Sequence, residues 1–84
     1  MVIFTDHALL KLKQRRIAKS IVLLTLKNPD VEQSSYGKRH IRYKKFRKLT
    51  MSVVFVLEGR HVVVVTAHWV EKIGQTEYHR RYEN

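Results

Sequence analysis

The histidines and a dense run of cations carry the chemistry available to this chain. Imidazole is the side chain best suited to exchanging protons near neutral pH, and His7, His40, His68 and His79 are candidate proton carriers. Between Tyr36 and Lys48 the chain reads YGKRHIRYKKFRK: seven lysines and arginines, two tyrosines, a phenylalanine and a histidine, with no carboxylate. RNA is cut without a metal when a base takes the 2′-hydroxyl proton, an acid protonates the leaving 5′-oxygen, and cations hold the charge growing on phosphorus. Arg and Lys suit the last role as preorganised electrostatic stabilisers. On that reading His68 is the acid or base, with Arg42, Lys44, Arg47 and Lys48 as clamps. The same residue types also suit a surface that binds a polynucleotide without cutting it. Lys and Arg displace counterions from phosphates, and aromatic rings stack on unpaired bases. Lys38, Arg39, His40, Tyr43, Lys44, Lys45 and Arg47 would then form the binding run. His7, Lys11 and Arg15 would add to it from a helix, and His79, Arg80 and Arg81 from the tail.

Composition narrows the setting. Eighty-four residues make one domain, divided here into a core over 1–69 and a basic C-terminal tail over 70–84. A chain this short buries only about 60–65% of its unfolded surface, so its core is small. The formal net charge of +10 attracts polyanions and, equally, an acidic protein able to cover the cations. The absence of cysteine excludes disulfides and thiolate metal sites. No apolar run approaches the roughly 20 residues needed to cross a bilayer, and the opening residues carry no signal-peptide pattern; a cytoplasmic protein is expected. His61 and His68 are an odd number of residues apart and fall on opposite faces of a strand, acidic residues are scarce, and no His-x-x-x-His pair occurs, so no metal site is expected. Gly37, Gly59 and Gly74 match neither nucleotide-binding fingerprint, and no cofactor is expected.

These residues need a scaffold. Met1 to Phe4 reads as a first strand. Thr5 or Asp6 can cap a helix running to Arg15 or Arg16, with Ala8, Leu9 and Leu12 on its buried side. A second, strongly apolar helix begins near Ser20 and closes at Lys27 before Asn28-Pro29-Asp30, and is expected to lie between the sheet and the first helix. Strands follow at Val31–Tyr36, Arg39 to Lys48, Met51–Leu57 and His61–Ala67, the first two joined by a Gly37-Lys38 turn and the last two by Glu58-Gly59-Arg60. The near-continuous apolar residues of the last pair suit strands covered on both faces. The expected class is α+β, in the order β-α-α-β-β-β-β, with a helical hairpin packed on a twisted, mainly antiparallel sheet.

Alternation along the strands makes the geometric prediction. Ile41 and Tyr43 point inward; His40, Arg42 and Lys44 point outward, joined by Arg47 and Lys48. Phe46 breaks this pattern and suggests a bulge near Lys45. On the last strand Val62, Val64, Thr66 and His68 share a side. The expectation is that His68 and the β-strand cations surround one hollow able to hold a phosphodiester.

The order of these features resembles a known family. Phe4-Thr5-Asp6-His7, Lys11, Arg15-Arg16-Ile17 and an apolar helix closing on Asn28-Pro29 look like the start of a little-characterised group of small domains. That group is placed with the RelE/ParE toxin superfamily, near BrnT toxins. LTMSVVFVLEGRHVVVVTAHW resembles the last hairpin of RelE- and YoeB-type messenger-RNA interferases. The resemblance implies a RelE-like fold and the toxin of a type II toxin-antitoxin system. It would be a metal-independent endoribonuclease acting on RNA, free or at the ribosome, with a small acidic antitoxin as partner. By position, His68 and Trp69 match the histidine and tyrosine that close the YoeB-type strand, and Lys48 matches an arginine before the hairpin. An indole cannot donate a proton as a phenol does, and the acidic base of some members has no counterpart. A non-catalytic nucleic-acid-binding or ParE-like protein-interaction module of the same fold is the alternative.

Overall fold

A computed structural model describes residues 1–71. The predicted tail residues His79, Arg80 and Arg81 lie outside the described residues. β1 (Val2–Phe4) runs into Thr5, whose extended backbone and Oγ1 begin helix α1 (Asp6–Arg15). Thr5 Oγ1 accepts the Ala8 N–H at 3.0 Å and donates to the Val64 carbonyl at 3.2 Å, so one side chain both caps the helix and fastens it to the sheet. Arg16, at φ 56°, ends α1; the Ile17 N–H returns to the Leu12 carbonyl. Helix α2 (Lys19–Lys27) follows, then β2 (Val31–Ser34), a tight turn at Tyr36–Lys38, β3 (Arg39–Phe46), β4 (Leu49–Glu58) and β5 (His61–Val70). Gly37 and Lys38 both have positive φ, which a two-residue hairpin turn requires of its central residues.

The five strands form one sheet in the order β1-β5-β4-β3-β2. β1 is parallel to β5, and every other pairing is antiparallel. The chain is therefore α+β, with two helices packed on a five-stranded mixed sheet. Leu12, Ile17, Val22 and Leu26 of the helical layer meet Met51, Val53, Phe55, Val64 and Ala67 of the sheet in a single core. α1 covers β5, whereas α2 covers β4 and β3. The helices thus lie side by side, and the expected sandwiching of α2 under α1 is not found. Leu9, Leu23 and Leu24 consequently remain 37%, 41% and 39% exposed. A five-stranded sheet is too wide for one helix, so each covers its own strands.

Two local features differ from the strand reading. The bulge expected near Lys45 is absent: β3 pairs with β4 without a break, and Arg47-Lys48 form a two-residue turn between Phe46 and Leu49. Phe46 therefore stays on the same side as Lys44 and Arg42. The irregularity lies between β4 and β5, where Val54 pairs with Thr66 but Phe55 pairs with Val64. Val65 is the extra residue, and one extra residue inverts every side chain beyond it. Val62 and Val64 face the helices, and so do Ala67 and Trp69; Thr66 and His68 face the other way.

Candidate nucleic-acid interface

The alternation of β3 is as expected, but the helices lie on the side expected to be outward. Ile41 and Tyr43 are buried on the face away from the helices, while His40, Arg42 and Lys44 point toward the helical layer. Arg42 lies against the C-terminal end of α2. Its Nη1 donates to the Leu26 carbonyl at 2.7 Å, its Nε donates to Glu32 Oε1 at 3.0 Å, and its guanidinium lies 4.8 Å from the Phe55 ring centroid. Lys44 Nζ donates to the Asn28 carbonyl at 3.0 Å. Two cations from the basic run thus satisfy carbonyls left over where α2 ends, where the helix dipole favours positive charge. His40 stacks on Phe55, with ring centroids 5.3 Å apart, and its Nδ1 is 3.8 Å from Glu32 Oε2.

His68 lies on the opposite face, with Ser52 directly across from it on β4 and Tyr43 one strand further on. The sheet itself separates His68 from Arg42 and Lys44, so the common hollow predicted for them does not form. The cause is the Val65 bulge combined with the side on which the helices pack. The cation near His68 comes instead from α1. β1 stops at Phe4, opposite Val64, and leaves the β5 edge open beyond that point. Arg15 reaches across this edge, and its Nη1 donates to the Ala67 carbonyl at 2.8 Å and to Thr66 Oγ1 at 3.1 Å. Burial, and secondarily the positive charge of Arg15, hold the His68 imidazole below its ordinary pKa of 6.5. Both effects favour the neutral imidazole, the form that can accept a proton.

The remaining predicted residues sort by exposure. Tyr43 is fully buried and its hydroxyl donates to Gln33 Oε1 at 3.2 Å, so its ring offers no surface to a base. His7 is exposed in the first turn of α1, with Lys11 half-buried one turn later. Lys38 and Arg39 are exposed at one end of β3; Lys45, Arg47 and Lys48 are exposed at the other. Among the described residues Arg42 is the only Lys or Arg in a salt bridge, and it shares Glu32 with His40. All three described non-glycine residues with positive φ are cations: Arg16, Lys38 and Arg47. A side chain in that region costs about 1 kcal/mol relative to glycine. Beside Arg47 and Lys48, the rings of Phe46 and Trp69 meet edge to face at 5.8 Å. Reading Phe46 as a register break concealed this pair, although its spacing of two from Lys44 was the available signal.

No curated protein and no solved structure matches this chain. The family model described as "Domain of unknown function (DUF4258)" matches residues 4–69, from the last residue of β1 to the aromatic end of β5. That span contains both helices, the whole basic run and His68, and the chain belongs to the DUF4258 family.

Proposed function

We propose that this domain binds single-stranded RNA through the exposed cations flanking β3, chiefly Lys45, Arg47 and Lys48 at the β3–β4 end. The observation that carries this reading is that these cations are exposed and make no salt bridge to any described carboxylate. Cations at positions where the backbone favours glycine point the same way. Single-stranded nucleic acid fits better than duplex, because the aromatic rings lie beside the cations and stacking requires unpaired bases. The test is anisotropy of a labelled oligoribonucleotide titrated across a range of salt. Reversing Lys45, Arg47 and Lys48 to Glu should abolish binding at moderate salt. Replacing any one of these phosphate-neutralising cations should flatten the log K against log salt slope by about 0.7. Unchanged affinity in the triple variant would reject the surface and favour a protein-interaction domain whose cations meet an acidic partner.

A second reading rests on His68. An imidazole kept neutral beside the Arg15 guanidinium has the protonation state of a general base, with a cation at hand for a phosphate. It supports a cytoplasmic RelE-like toxin that cleaves RNA, free or on the ribosome, and is silenced by a small acidic antitoxin. In this version Arg15 replaces Arg42 and Lys44 as the clamp nearest the histidine. Gel analysis of RNA incubated with wild type and His68→Ala decides it. Cleavage lost in a folded variant supports catalysis; equal cleavage by both removes His68 from the mechanism.

A further inference from the structure

The β3–β4 turn and the end of β5 border an open hollow of about 350 Å³ lined by Phe46, Arg47, Lys48, Leu49 and Trp69. That lies at the lower end of the roughly 300–1,000 Å³ typical of small-molecule sites, and suits one flat ring system with a short appendage. We infer that this hollow is a mononucleotide subsite. One unpaired nucleobase stacks against the Phe46–Trp69 pair, and its adjoining phosphate rests on Arg47 and Lys48.

The geometry supports each part. The rings of Phe46 and Trp69 stand at 86° to one another, so they form a corner instead of closing face to face. Both side chains are half-buried and pack against the main core, which holds the corner in place. Leu49 pairs with Phe46 across the hairpin, is 40% exposed and supplies an apolar floor. The cations come from the two-residue turn itself, so their backbones are fixed by the ladder on either side. Arg47 has φ 49°, where glycine would be less strained, yet the chain carries a guanidinium there. A base is favoured over an aliphatic ligand because it can stack on an aromatic face while its phosphate meets the two charges.

The inference rests on the RNA-binding reading and specifies where one base is held. Trp69 is the sole tryptophan of the chain, so its fluorescence reports on this hollow alone. The probes are adenosine 5′-monophosphate, a pentameric oligoadenylate and inorganic phosphate. Both nucleotide probes should quench Trp69 saturably, whereas phosphate alone should not. The double variant Arg47→Ser/Lys48→Ser, altered only in an exposed turn, should weaken quenching by roughly tenfold, in line with loss of a charge-assisted contact. Phe46→Leu, which keeps an apolar side chain, should weaken both nucleotide probes. Oligonucleotide binding by anisotropy with unchanged Trp69 emission would overturn the subsite and leave the RNA-binding reading standing. Quenching by the mononucleotide without any oligonucleotide binding would support the subsite and reject that reading. Equal quenching by inorganic phosphate would also overturn the subsite, because no base would be involved.

Discussion

Truncating Arg42 separates a phosphate ligand from a structural clamp. In Arg42→Ala three interactions disappear together. The charged hydrogen bond to the Leu26 carbonyl contributes about 1.5–3 kcal/mol. The ion pair with the 42%-exposed Glu32 adds about 0.2–1 kcal/mol. The guanidinium over Phe55 adds about 0.5–1 kcal/mol. The Arg42 side chain is 26% exposed, so water re-enters after truncation and the lower half of that range applies. The expected loss is about 2–3 kcal/mol, or a fall in Tm of roughly 8–24 °C for a domain of this size. Urea denaturation followed by Trp69 fluorescence measures it. Arg42→Lys should recover little, because an ammonium cannot bridge the carbonyl and carboxylate as the guanidinium fork does. Oligonucleotide affinity, measured well below the denaturation midpoint, should change by less than about threefold, the shift expected when a folded surface keeps its charges. A variant as stable as wild type that has lost RNA binding would refute the structural role and return Arg42 to the phosphate surface.

Two further outcomes follow from the same geometry. Arg47→Gly relieves a positive φ and should raise stability by about 0.5–1 kcal/mol while weakening RNA binding, so a gain in both or a loss in both would contradict the assignment. Arg15→Gln removes a cation that depresses His68 and should raise that imidazole's pKa toward 6.5, read by NMR titration; no rise would show that Arg15 does not act on it. The sign of the stability effect also follows. Because the folded imidazole titrates below 6.5, the unfolded chain takes up this proton first as pH falls. The His68 contribution is therefore complete above pH 6.5 and is lost as pH drops through 6.5 toward the lower folded value. Loss of stability in that window should shrink in His68→Gln, as followed by thermal denaturation from about pH 5 to pH 7.

Much of the architecture is legible in the chain because it depends on neighbouring residues. Thr5 caps α1, Asn28-Pro29 stops α2, and Gly37 and Gly59 supply the positive φ of two hairpin turns. Each is a short-range matter of hydrogen bonding or backbone freedom. The alternation that buries Ile41 and Tyr43 is equally local. The Arg47-Lys48 turn was harder to see, because neither residue advertises a left-handed conformation.

The class of the fold, its two helices, the turns at Gly37 and Gly59, and the excess positive charge near β3 were all legible in the chain's local pattern. They were legible because capping, periodicity and net charge are properties of adjacent residues. Tertiary structure alone decided which cations face solvent and which serve the fold. The helices pack on the Arg42 side, and the end of α2 draws in Arg42 and Lys44. The single extra residue at Val65 sends His68 to the other face and Trp69 toward Phe46. A strand's two faces are equivalent until a second layer covers one of them, and a one-residue slip in pairing exchanges them. Both events depend on contacts between residues far apart along the chain.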